Sequence, residues 1–178
     1  MKLTGSEKLI LIMLSKIHEQ LGIQSDIDPK FVQSAIDSGN SWGLTSKYPS
    51  LGDDNYVDPP VVSEVVKILE MWSCIEKSYD KLSDEDKASV ATTPKFKGFD
   101  QNFETEQISV AHFLFHELDR FVLFKDRDIG AGIPYSLQMH ERMFSVFEPI
   151  MRSSHWNGEL SAEQIMKLLN ARNARATE

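Results

Sequence analysis

Cysteine is nearly absent from this chain. Of 178 residues only Cys74 carries a thiol, so no intrachain disulfide can form, which fits a reducing compartment. Long apolar runs are also lacking. The longest, Leu9–Leu14, falls far short of the ~20 residues of a membrane span. It is also shorter than a signal-peptide core of ~7–15 residues, and no small-residue cleavage site follows it. The chain therefore reads as cytoplasmic, with no membrane partner. Positive charge is the third shortage: 19 Lys and Arg face 27 Asp and Glu, a net charge of −8. The balance is −3 over residues 1–60, −2 over 61–100 and −3 over 101–178. No stretch forms the basic stripe that neutralises the phosphates of a duplex, so nucleic acid is not expected as a partner. Hairpin dipeptides, strand alternation, internal repeats and low-complexity tracts are missing too.

What is present is a globular composition, 41% hydrophobic and 26% charged, which excludes a disordered or fibrous chain. One domain over residues 1–178 is the default at this length. It buries roughly 70% of its unfolded surface, enough for a core without disulfides or metal. The periodicity is helical almost throughout. Thr4-Gly5-Ser6-Glu7 forms a capping box opening a helix over residues 5–21. Asp28-Pro29 opens a second that ends near Gly39. A short helical turn is expected near Leu44–Tyr48, followed by an acidic loop. Asp58 caps and Pro59-Pro60 start a long third helix, in which Val61, Val65, Ile68, Trp72, Ile75, Tyr79 and Leu82 make one apolar stripe. Ser83 caps a short helix to about Val90, and residues 91–102 connect. A further long helix is expected from Phe103 to Phe124. Another opens at Pro134, with Pro149 disturbing its last turn. Ser161-Ala162-Glu163-Gln164 is a second capping box. The fold expected is all-α: a single multihelical domain of six to eight helices, three of them long, with no sheet.

Several groups of residues could carry chemistry. His112 and His116 lie four apart on one helix, the spacing zinc sites use, and Asp119 offers a third ligand for a metal-dependent hydrolase. The HExxH pattern is absent because no Glu follows His112, and the plain alternative is two histidines flanking the core stripe. Gly130-Ala131-Gly132 precedes a helix start, where anions bind, but it lacks the rest of a phosphate-loop pattern. Asp53-Asp54-Asn55 is rich in oxygen without the glycine and distal glutamate of a calcium loop. Cys74 falls mid-helix beside the core with no catalytic partner evident. Arginine is distributed unevenly: none precedes Arg120, and Arg120, Arg127, Arg142, Arg152, Arg172 and Arg175 follow. Arg120 and Arg142, on adjacent aromatic-rich helices, suit bidentate contact with a small anion. Glu104, Glu117 and Glu141 are the carboxylates that would otherwise hold them in interhelical ion pairs. Seven Met and ten Phe provide area for core packing and for an oligomer contact.

Several runs occur together in order: Ile68-Leu69-Glu70-Met71-Trp72, Phe96-Lys97-Gly98-Phe99-Asp100 with Glu104, Arg120-Phe121 with Phe124, and Arg142-Met143. Trp42-Gly43-Leu44 precedes them, and Leu160-Ser161 with Ile165 and Asn170-Ala171 closes the set. In this the chain resembles the YfbU family of bacterial and archaeal proteins, from about Leu9 to Ala171. It departs at Leu118-Asp119, where the family tends to carry Glu-Gly before its arginine. The resemblance implies an all-α cytoplasmic domain. Relatives that join it to a DNA-binding module imply a ligand-sensing or dimerising role, although this chain has no room for such a module. The reading is a non-enzymatic, self-associating domain, a dimer or higher homo-oligomer, that senses a small anion or mediates protein contacts. Arg120, Arg142, Glu104 and Glu117 are the candidate binding residues, and no cofactor is expected.

Overall fold

The computed structural model of the chain describes residues 3–52, 56–90 and 92–173. The Asp53-Asp54-Asn55 loop and Arg175 lie outside the described residues. Among those described there are eight α-helices and no strand. They are α1 (Gly5–Gln20), α2 (Pro29–Asp37), α3 (Trp42–Lys47), α4 (Pro60–Lys81), α5 (Asp84–Ser89), α6 (Thr105–His116), α7 (Ser136–Met151) and α8 (Ala162–Asn173). None is long and apolar enough to cross a membrane.

The helix starts are set by local chemistry. At α1 the Thr4 hydroxyl accepts the Glu7 N–H, and the Glu7 carboxylate accepts the Thr4 N–H at 2.7 Å. Asp28 accepts the Lys30 and Phe31 N–H groups ahead of Pro29. Ser83 accepts the Asp86 N–H, and Ser161 and Gln164 satisfy each other's backbone donors at α8. Each such cap satisfies donors that the first helical turn leaves without an intrahelical partner.

The core is organised on α4. Its stripe buries Val65, Ile68, Leu69, Trp72 and Ile75 to 3% exposure or less, against α6, α7 and α8. Phe99, Phe115, Phe124 and Met143, all at 0%, close the core from the other side. Truncating one such ring to Ala costs about 3–5 kcal/mol.

Three elements differ from the sequence expectation. Asp58 does not cap α4: Pro59 occupies the cap position, with no side-chain cap bond. A cap at Asp58 would use the N–H of residue 60 or 61, and Pro60 has none, which removes one of the two donors. Pro134 does not open α7, which starts at Ser136 after Tyr135 takes the left-handed conformation at φ 56°. The expected helix through Phe124 stops at His116. Asp119 (φ 48°) and Phe121 (φ 53°) then reverse the chain into a 3-10 turn at Val122–Phe124. The Arg120 N–H reaches back to the Leu114 carbonyl at 2.8 Å, and Phe124 tucks against Phe96 and Phe115.

The connector between α5 and α6 crosses the segment before α7 in one isolated antiparallel bridge, Asp100 to Ala131. Phe99 donates to Ile129, and Gly132 donates back to Phe99. Glycine is required at this crossing. Gly98 has φ 87°, and a Cβ there would sit 1.9 Å from the Ile129 oxygen; one at Gly132 would meet the Phe99 backbone at 2.5 Å.

Candidate functional site

The polar residues of the connector converge under the start of α7. Glu104 is 5% exposed and acts as a cap from a distance. Its carboxylate accepts the Leu137 N–H at 2.7 Å, the Asp100 N–H at 2.8 Å and the Ser136 hydroxyl. Asp100 accepts the N–H of Tyr135 and holds that residue's left-handed backbone. Next to this node, His140 has no exposure. Its Nδ1 accepts the Trp72 indole N–H at 3.0 Å, and its Nε2–H donates to the Gly98 carbonyl at 3.2 Å. The Trp72 bond requires the neutral ring, because Nδ1 must carry a free lone pair; the bond to Gly98 is available to either form. Burial accordingly pushes its pKa down from 6.5 to about 4. These groups are buried and bonded to one another and to the start of α7, so they are not presented to a ligand.

A second buried polar contact ties the loop after α6 to α4. Arg127 forks onto Glu76 through two bonds of 2.7 Å, and the same carboxylate accepts the Phe96 N–H. The hydrogen bonds to Glu76 raise the Arg127 pKa further. Neither residue was a sequence candidate, because 51 positions separate them and nothing local pairs them.

The sequence candidates are not brought into one site. Glu104 is the cap just described, and Glu117 accepts the Ser34 hydroxyl at 2.7 Å, joining α6 to α2. Arg142 donates to the Arg172 carbonyl in the last turn of α8, and its Nε is buried with no hydrogen-bond partner among the described residues. Arg120 is exposed and lies over the Phe121 ring, 5.2 Å from its centroid. The ion pairs among the described residues include neither Arg120 nor Arg142. The rings of His112 and His116 stack at 5.7 Å, and burial together with the neighbouring His116 lowers the His112 pKa. Asp119 does not join them: the helix has ended, and its carboxylate turns to Lys125 at 3.1 Å. Among the described residues no group of three His, Cys, Asp or Glu is placed to hold a metal ion. In the Gly130–Gly132 segment, the Gly130 N–H goes to Asp128 and the Gly132 N–H to Phe99, so neither is free for an anion.

The break after α6 builds a concave surface that the sequence pattern did not reveal. Phe121, Val122 and Leu123 stand across from Glu70, Ser73, Cys74 and Lys77 of α4. Phe147 and Met151 of α7 and Trp156 close the cleft, whose volume is about 760 Å³. Its wall is apolar apart from the α4 side chains. Val122 is 64% exposed, unusual for a valine in a folded turn. Lys77 is exposed on one side, and Arg120 stands behind Phe121 on the other. Cys74 is an inert wall atom: burial raises its thiol pKa, and its nearest polar neighbours are the Ser78 hydroxyl and the Gly158 carbonyl, both at 3.9 Å. Read as helix, Phe121–Phe124 signals only core. The one hint was the apolar run after Asp119-Arg120, with too many large side chains for a single helix face.

Compared with known proteins, the chain matches the family model described as the YfbU domain over residues 1–171. No curated protein and no solved structure matches it.

Proposed function

Since this chain belongs to the YfbU family over nearly its whole length, we propose a function for the helical domain as a unit. It is a non-enzymatic, self-associating cytoplasmic protein that binds a small amphipathic anion in the cleft between α4, the Phe121–Leu123 turn and the end of α7. The observation that carries this reading is the cleft itself. Its volume of about 760 Å³ falls within the ~300–1,000 Å³ of small-molecule sites, which are mostly apolar with a few polar groups fixing orientation. An apolar body packs against Phe121, Phe147 and Trp156, and a carboxylate or phosphate is drawn to Lys77 with Arg120 flanking it. Phe121 is held at φ 53°, a conformation that costs a bulky residue about 1–3 kcal/mol and that clusters at ligand-binding positions. The cleft supplies no nucleophile with a paired base: its thiol is kept protonated and lies beside a hydroxyl and a carbonyl.

The test is a thermal-shift series with amphipathic carboxylates and phosphates, medium-chain and aromatic. A probe at ~100 times its Kd stabilises the native state by about 2.7 kcal/mol. That gain is expected to be lost in Lys77→Met and weakened in Arg120→Ala, both at exposed positions whose change leaves the fold intact. No shift with any probe, or equal shifts in wild type and both variants, removes the cleft as the binding site.

A further inference from the structure

Helix α1 is apolar on two sides. Leu11 and Ile12 pack against the core and Ser15 is buried, beside α2. Facing away from them are Leu9, Ile10, Met13, Leu14, Ile17 and Leu21, each 50–69% exposed. At 3.6 residues per turn these six fall within an arc of about 140° around the axis. Only Ser6 and Gln20 share that arc. Glu7, Lys8, Lys16 and Glu19 all fall outside it. A helix at the surface of a globular protein needs one apolar stripe, facing its own core; a second stripe on the solvent side calls for a partner. Ile23 and Ile27, 47% and 41% exposed, extend the patch past the helix end. Six large side chains on one face, each at least half exposed, are more than the scattered single hydrophobics normal on a monomer surface, and such a patch marks a contact site.

We infer that this face of α1 is the surface through which two copies of the chain form a twofold dimer, an inference that gives a location to the self-association proposed above. Three features select a second copy as the occupant. Ile10, Leu14, Ile17 and Leu21 follow the four-three-four spacing of a helix–helix seam. An uncharged face is complementary to itself, as an isologous contact requires. The charge distribution points the same way. Two chains of −8 each repel over most of their surfaces, but along α1 Lys8 and Lys16 balance Glu7 and Glu19, so two copies meet here without like-charge conflict. A lipid surface is a poorer match, because interfacial helices carry a polar face rich in Lys and Arg, and this helix has no excess of either.

The test is sedimentation equilibrium of the full chain, wild type beside Leu14→Glu and Ile17→Lys, at micromolar concentrations. Wild type sediments as a dimer. Each variant raises the dissociation constant by about 100-fold or more, since a charge is buried without a partner. Circular dichroism of the variants stays helical, because both positions are at least half exposed in the protomer. Mixing Leu14→Glu with Leu14→Lys restores dimers by pairing opposite charges across the contact. A wild-type monomer overturns both the self-association and its location. A wild-type dimer that the variants leave intact overturns only the assignment to α1. Flotation of a monomeric wild type with anionic phospholipid vesicles likewise overturns the dimer in favour of a lipid surface.

Discussion

His140 shows how a residue that looks functional becomes structural through its surroundings. A histidine in an aromatic helix is a natural candidate for proton chemistry, yet this one is sealed between Trp72, Phe96 and Phe99, with both nitrogens committed. Its pKa of about 4 in the folded chain, against an ordinary 6.5, makes it a stability determinant. As pH falls from 6.5, the unfolded chain takes up the proton first, so the unfolded state gains relative to the native one. The contribution is complete above about pH 6.5, declines through the interval down to about 4 and changes no further below it. A shift of this size corresponds to about 3 kcal/mol. Urea titrations at intervals between pH 7 and 4.5 should show that loss. His140→Asn, less stable at neutral pH, should give a distinctly shallower profile over the same range, the remaining slope including that of His112, and equal slopes in the two proteins would exclude His140 as the cause. Glu76 and Arg127 teach the same lesson with charge. Their fork is buried at the Glu76 end, where removing either partner leaves an uncompensated ion.

At the scale of elements, the helices whose ends carry their own chemistry were legible. The capping boxes at Thr4 and Ser161, the Asp28-Pro29 start and the Ser83 cap are each contained within four residues and bond as their sequences indicate. The end of α6 was not legible. Nothing from Glu117 to Phe124 is Gly or Pro, and the apolar spacing continues unbroken, so local pattern favours helix. What stops it is remote: Phe124 reaches full burial against Phe96 and Phe115 only if the chain reverses. Asp119 has φ 48°, the region that favours glycine. Asp119→Gly should therefore stabilise the protein by about 0.5–1 kcal/mol, because it relieves the left-handed conformation while giving up only an exposed ion pair with Lys125 that contributes little. Matched denaturant midpoints would check this; a loss of stability would mean that the carboxylate, and not the backbone, governs the turn.

For the whole molecule, charge and apolar surface pull in opposite directions. A net charge of −8 disperses copies of the chain, whereas the contact proposed through the uncharged face of α1 would draw them together. The ionic-strength dependence separates the two effects. Raising salt from ~0.01 M to ~0.15 M shortens the Debye length from ~30 to ~8 Å, which screens the mutual repulsion and leaves an apolar contact unweakened. The dimer should therefore tighten as salt rises through this range, measured by sedimentation at the two ionic strengths. A dimer that loosens with salt would be held by ion pairs and would lie elsewhere on the surface.

Sequence alone determined the helical class, most helix starts and the buried stripe of α4, because the 3.6-residue period and the caps are local and each segment carries its own instructions. It also brought Arg120, Arg142, Glu104 and Glu117 forward as candidates, since residue type and helix assignment were all it had to weigh. Their surroundings were decided only by the tertiary structure. Glu104 became a cap for a helix beginning 32 residues later, Arg142 a donor to the end of α8, and Arg120 a flank to a cleft that exists because α6 stops short. These outcomes depend on contacts between distant segments, whose energies arise when the core closes and leave no trace in the spacing of neighbouring residues.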